Sequence, residues 1–197
     1  MSLLEVSSLR ILFGVFALVL VLSGCGQSNE FSQVDQADID EYEVMQTFDE
    51  KTEDDFIFRL VSGKEEYLPD EPVELYGEII YTGDEKLEIV HGSSSVIFEI
   101  QEHVRGHIIT HTIQEIAMYT HLIPNEPYRE NYTKHGIFYS EFDSKEYIEF
   151  IEDFKNRDGF PPGYYTVKAT TAFYDGTMHR EIEAEVDFKV VTGTAGK

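Results

Sequence analysis

The ten residues Glu181–Val190 constrain the fold more than any other stretch of this chain. Ile182, Ala184, Val186, Phe188 and Val190 alternate with Glu181, Glu183, Glu185, Asp187 and Lys189. A period of two cannot be wrapped on a helix without scattering the apolar residues around it, so the run predicts a strand with one dry and one wet face. A one-residue slip would turn every apolar side chain to water, so the register is also fixed.

The same period recurs upstream. Phe56, Phe58 and Leu60 begin a first strand, and Val73, Leu75, Gly77, Ile79 and Tyr81 a second, after the turn-forming Tyr67–Pro72. Thr82-Gly83-Asp84 supplies a turn before Leu87, Ile89 and His91. Gly92-Ser93-Ser94-Ser95 reads as a loop, with Val96, Phe98 and Ile100 forming the next strand and His107–Ile113 a fifth. Tyr165 to Phe173 alternates again, and Asp175-Gly176 predicts a hairpin into the final strand. Many short strands with regular turns predict an all-β antiparallel sandwich over residues 56–197.

One helix interrupts this pattern near 144–156. Tyr147, Phe150, Ile151 and Phe154 fall at i, i+3, i+4 and i+7, which gives one apolar face. Asp143 and Glu146 have capping-box spacing, with Ser144 as an alternative cap. Lys155 and Arg157 suit the negative end of the helix dipole. The helix is expected to cover one end of the sandwich.

Before the strands lies an acidic stretch. Gly26–Asp55 holds eleven Asp/Glu against one base, Lys51, with sparse apolar residues and no sustained period. Such a segment buries too little surface to offset its ordering entropy, and self-repulsion extends it. Residues 25–55 therefore read as an acidic linker. The chain as a whole carries a formal charge of −23. That surface repels nucleic acid, so no nucleic-acid partner is expected, and it attracts cationic partners.

At the start of the chain an apolar run from Ile11 to Val21 leads into Leu22-Ser23-Gly24-Cys25. Eleven residues are too few to cross a hydrocarbon core, which takes about 20 as a helix. They match the h-region of a signal peptide. Leu22–Cys25 resembles the lipobox of bacterial lipoproteins. That resemblance implies a signal peptide over 1–24, cleavage before Cys25, and a diacylglyceryl group on its sulfur. The membrane would then be a partner through lipid on Cys25, the chain's single cysteine. Acyl burial contributes about 0.8 kcal/mol per CH₂, so two or more chains anchor stably. The implied location is the extracytoplasmic face of the bacterial cell membrane.

Two further stretches carry a second resemblance. Tyr67-Leu68-Pro69-Asp70-Glu71-Pro72-Val73, followed by Tyr81-Thr82-Gly83-Asp84, is similar to the first strands of immunoglobulin-like domains in the intracellular proteinase inhibitor family. Pro162-Gly163-Tyr164-Tyr165-Thr166-Val167 resembles a late strand of such sandwiches, in which Tyr165 would make a tyrosine-corner bond to backbone. The resemblance implies an immunoglobulin-like β-sandwich, with one inserted or capping helix, and offers protease inhibition as an alternative function. Asp70 stands where that family usually has Gly.

Candidate chemistry is thin. No P-loop, dinucleotide fingerprint, H-E-x-x-H or G-x-S-x-G elbow occurs, so neither a cofactor nor an enzyme is expected. His103, His107 and His111 sit four apart. On one continuous strand they lie too far apart to share an ion, but a hairpin at Arg105-Gly106 would make His103 and His107 cross-strand neighbours. A metal-binding role is the alternative they offer. Tyr119, Tyr128, Tyr132, Phe138 and Tyr139 fall among Pro124, Pro127 and Gly136, in what reads as one long loop. Aromatic loop residues suit recognition, and a flap over the sandwich end is the other reading. The expected function is a non-catalytic binding or interaction module whose partner is an envelope protein or a protease.

Overall fold

The computed structural model describes residues 34–193. The signal peptide over 1–24 and the lipidation site Cys25 lie outside the described residues. Two sheets stack into a β-sandwich. The first contains β1 (Phe48–Glu53), β2 (Phe56–Ser62), β4 (Leu75–Tyr81) and β8 (Pro127–Asn131), in the order β1-β2-β4-β8. The second runs β3 (Glu66–Tyr67), β11 (Glu183–Val190), β9 (Gly163–Tyr174), β5 (Leu87–Glu102) and β6 (His107–Ile109). Two short strands join it, β7 (Met118–Leu122) against β5 and β10 (His179–Arg180) against β9. All pairings are antiparallel except the short β3–β11 contact, which is parallel.

The alternation at the end of the chain does what the period requires. Ala184, Val186, Phe188 and Val190 are buried, and so is Ile182 just before β11. Phe188 stacks on Tyr165 at 5.4 Å and meets Tyr67 and Phe160 edge-on. These aromatic contacts tie β3, β9 and β11 of the second sheet to the loop at Phe160, and each adds about 0.5–1.5 kcal/mol beyond the area it buries. Tyr165 Oη donates to the Pro161 carbonyl at 2.7 Å, the tyrosine-corner bond. The Asp175-Gly176 hairpin also forms. Gly176 takes φ +92°, and Asp175 accepts from the Thr177 and Met178 amides.

The opposite face of β11 is not uniformly wet. Asp187 is 4 % exposed because the segment before β1 lies across it. The amides of Met45 and Gln46 donate to its two carboxylate oxygens, both at 2.8 Å, and Tyr164 Oη donates at 2.8 Å as well. The Asp187 amide in turn donates to the Gln46 carbonyl.

The acidic linker expected over 25–55 is therefore corrected from Val34 onward. A short helix α1 (Gln36–Asp40) buries Ile39 completely, Tyr42 stacks on Tyr164 at 4.6 Å, and β1 pairs along all of β2. Composition misjudged this strap because its stability comes from long-range contacts to β9 and β11. Its own sequence shows neither period nor apolar density.

Two further departures concern the middle of the chain. Gly92–Ser95 is not a loop between strands but a bulge within β5, where the register with β9 shifts between His91 and Val96. Tyr119–Tyr139 is not one long loop. β7 belongs to the second sheet and β8 to the first, and the chain crosses between them through a turn in which Asn125 takes φ 62°.

The expected helix is present as α2 (Lys145–Asn156). Ser144, not Asp143, caps it, by accepting from the Tyr147 amide. Asp143 faces back to accept from the Ser140 amide. Phe150, Ile151 and Phe154 are buried, and Tyr147 Oη donates to the Ile108 carbonyl on β6. No helix among the described residues is long and apolar enough to cross a membrane.

Candidate functional site

The bulge in β5 and the crossover to β8 open a groove at the edge where the two sheets meet. Three segments form its walls: 93–98 of β5, the stretch 111–114 after β6, and 130–136 from the end of β8. The middle wall is stitched on both sides. The Ser93 amide donates to the Gln114 carbonyl at 2.9 Å, and the Thr112 amide donates to the Gly136 carbonyl at 2.9 Å. Gly136 is required there, because it takes φ +78° and a Cβ would lie 2.6 Å from the Thr112 oxygen. The cavity between the walls measures about 430 Å³, within the usual range for small-molecule sites.

Glu130 supplies the groove's fixed charge. It shares the inward face of β8 with Tyr128, which packs against the core. From there its carboxylate reaches across to the second sheet and accepts from Ser94 Oγ, Ser95 Oγ and the Ser95 amide. Both serine hydroxyls are thus committed to the carboxylate rather than to an imidazole. The neighbouring Arg129 points to the other face, where it donates to Glu78.

His111 and Tyr132 form the second pair. His111 Nε2 lies 3.0 Å from Tyr132 Oη, and the rings meet edge-on at 5.4 Å. Burial holds the His111 imidazole below its ordinary pKa, with the Ile109 carbonyl working weakly the other way. Burial pushes the Tyr132 phenol well up. At neutral pH the pair is uncharged. His111 Nδ1 is buried beside the Ile109 carbonyl and makes no well-formed hydrogen bond. Phe98, set against Tyr132 at 5.6 Å, adds an aromatic wall.

The other aromatic residues singled out in the sequence do not gather here. Tyr119, 64 % exposed, lies on the outer face of the second sheet, in register with Val90, Tyr174 and His179 across β7, β5, β9 and β10. Phe138 and Tyr139 follow the bridge at Ile137 and are exposed, with Lys155 5.6 Å from the Tyr139 ring. Tyr128 is half-buried against the core.

The three histidines are also separated. The hairpin at Arg105-Gly106 forms, but it pairs His107 with Glu102 rather than with His103. His103 Nε2 lies 2.8 Å from Thr166 Oγ1. His107 packs on Tyr147 and Phe150, and burial lowers its pKa. Among the described residues no group of three or more His, Cys, Asp or Glu side chains is placed to hold a metal ion.

Neither a protein-family model nor a curated protein matches this chain.

What the groove can do follows from its own atoms. It offers a carboxylate held by neutral donors, an uncharged His–Tyr pair and apolar walls from Val96, Ile97 and Ile113. Sequence reasoning reached Tyr132 and His111 separately and missed Glu130. Its signal was there: Tyr128, Glu130 and Tyr132 alternate, which puts a carboxylate on the inward face of an edge strand.

Proposed function

We propose that this chain is a lipid-anchored extracytoplasmic binding module, held at the membrane through acyl groups on Cys25, that takes a small ligand in the groove between its sheets without transforming it. The anchor rests on the resemblance of Leu22–Cys25 to a lipobox. The binding role rests on one observation, the groove of about 430 Å³ with Glu130, His111 and Tyr132 in its walls. A binding site needs convergent polar groups in an apolar frame, and this groove supplies both. Ser94 and Ser95 are spent on a carboxylate and Ser93 accepts from the Gln114 amide, which suits holding better than attack.

Native mass spectrometry of the full chain, purified from membranes in mild detergent, tests both parts. The expected result is an acylated mass beginning at Cys25, together with a small non-covalent adduct that Thr112→Trp, filling the groove, removes. An unacylated chain with its leader attached would overturn the anchor. An adduct equally present in the variant would overturn the groove.

A second reading is docking of an envelope protein on the outer face of the second sheet, favoured by the exposed Tyr119, Tyr174 and His179 in register with half-buried Val90. Contact residues and packing residues separate by stability. Tyr119→Ala is expected to leave the melting temperature within about 1 °C, because little apolar area is lost. Tyr132→Ala is expected to lower it by about 6 °C or more, since it removes a ring packed on Phe98 and Phe160 and the bond to His111. Equal losses would make Tyr119 a packing residue and remove the docking face.

A further inference from the structure

Taking the groove as the binding site, we infer that its ligand is a small organic cation, a protonated amine on an apolar or aromatic body. The inference starts from the charge of the walls. The lining residues include Glu130 and not one lysine or arginine. Glu130 is satisfied by hydrogen bonds alone, since Ser94 and Ser95 are neutral donors. Among the described residues it has no ion-pair partner. The arginine next to it in sequence is turned away and held by Glu78. A half-buried carboxylate with hydrogen bonds but no counter-charge keeps most of its field, and that field acts where water is partly excluded.

The remaining walls narrow the choice. Buried His111 contributes an uncharged ring, so it neither neutralises Glu130 nor repels an incoming cation. Tyr132 and Phe98 line the same space, and an aromatic ring attracts an ammonium through its electron-rich face. Val96, Ile97 and Ile113 accommodate an apolar body. A bare metal ion fits poorly, because no three ligating side chains converge among the described residues. A phosphate or carboxylate ligand would meet Glu130 with no lysine or arginine in the walls to receive it, only the imidazoles of His111 and the exposed His135. At longer range the chain's formal charge of −23 concentrates cations near the surface and speeds their arrival.

Three probes with one body and different charge test this: 2-phenylethylamine, 2-phenylethanol and phenylacetate. Each is titrated calorimetrically into the full chain in an uncharged detergent near pH 8. The amine is expected to bind at least tenfold more tightly than the alcohol, with the acid not binding detectably. Glu130→Gln should bring the amine down to the level of the alcohol. Because Glu130 also secures the bulge, Thr112→Lys provides a second route. A tethered ammonium in the groove should weaken the amine at least tenfold more than it weakens the alcohol, which reads the bulk of the new side chain alone. Equal binding of amine and alcohol, binding of the acid, or indifference of the amine to both variants would overturn the inference. Alcohol binding that Thr112→Trp abolishes, without any preference for the amine, would overturn the cation and leave the groove standing. No binding by any probe would overturn both.

Discussion

Asp187→Ala is expected to destabilise the protein by about 3 kcal/mol, the largest single effect of any polar substitution described here. The carboxylate is buried on the face of β11 that its sequence marks as wet, and it receives three donors at 2.8 Å: the Met45 amide, the Gln46 amide and Tyr164 Oη. Removing it leaves those donors without a partner, and each unsatisfied buried group costs about 1–3 kcal/mol before water re-enters. For a body of this size 3 kcal/mol corresponds to a fall of about 9 °C in melting temperature. The loss should also be local. Amide exchange at Met45 and Gln46 should accelerate far more than exchange in β9, and limited proteolysis should cut between Val34 and Thr47. If the melting temperature falls and that segment stays protected, the carboxylate supports the sheet rather than the strap.

Lys134→Met is expected to cost about 2–3 kcal/mol. The ammonium donates to the carbonyls of Phe154, Arg157 and Gly159 at 2.7, 2.7 and 2.5 Å, and it lies 4.6 Å from the centre of the Phe154 ring. The last carbonyls of a helix lack intrahelical partners, and a side chain from outside α2 supplies them here. Methionine fills the space and makes none of these bonds. The deficit should depend on pH. Burial brings the Lys134 pKa down to about 8, against an ordinary value of 10.5. Between those values the unfolded chain binds more protons than the folded one, so the wild type gains stability with rising pH and the variant does not. The gap between them should widen from about pH 8 to 10.5 in thermal melts. A gap that narrows over that window would mean that the three carbonyls outweigh burial and hold the charge in place.

How far the sequence reveals this molecule depends on where each element finds its partners. β11, β2 and the Asp175-Gly176 hairpin are legible because their determinants are local: a period of two, and a turn that needs a positive φ. The apolar face of α2 is legible for the same reason. Its cap was less so, because Asp143 and Ser144 both suit the position and only the backbone path decides between them.

The strap from Val34 to Glu53 is illegible on composition. The residues it stacks on and bonds to, Tyr164, Asp187 and Thr192, lie more than a hundred positions away. The bulge in β5 reads as a loop in the sequence, because one extra stretch of small residues breaks alternation just as a loop does. The groove suffers from both problems. His111 and Tyr132 were conspicuous singly, but nothing in a spacing of twenty-one residues says that one ring will meet the other.

The strap also sets how this molecule would carry a mechanical load. A pull entering at Val34 passes through α1, Tyr42 and the edge strand β1 before it reaches the rest of the first sheet. β1 is an outermost strand joined to β2 by the tight Asp54-Asp55 turn, so tension at Phe48 strains its rungs one after another instead of all together. The strap would therefore yield first, paying out roughly 70 Å of chain at about 3.5 Å per residue. β9, β11 and the groove would stay shut behind it, as cargo stays boxed behind a rip-stitched lanyard.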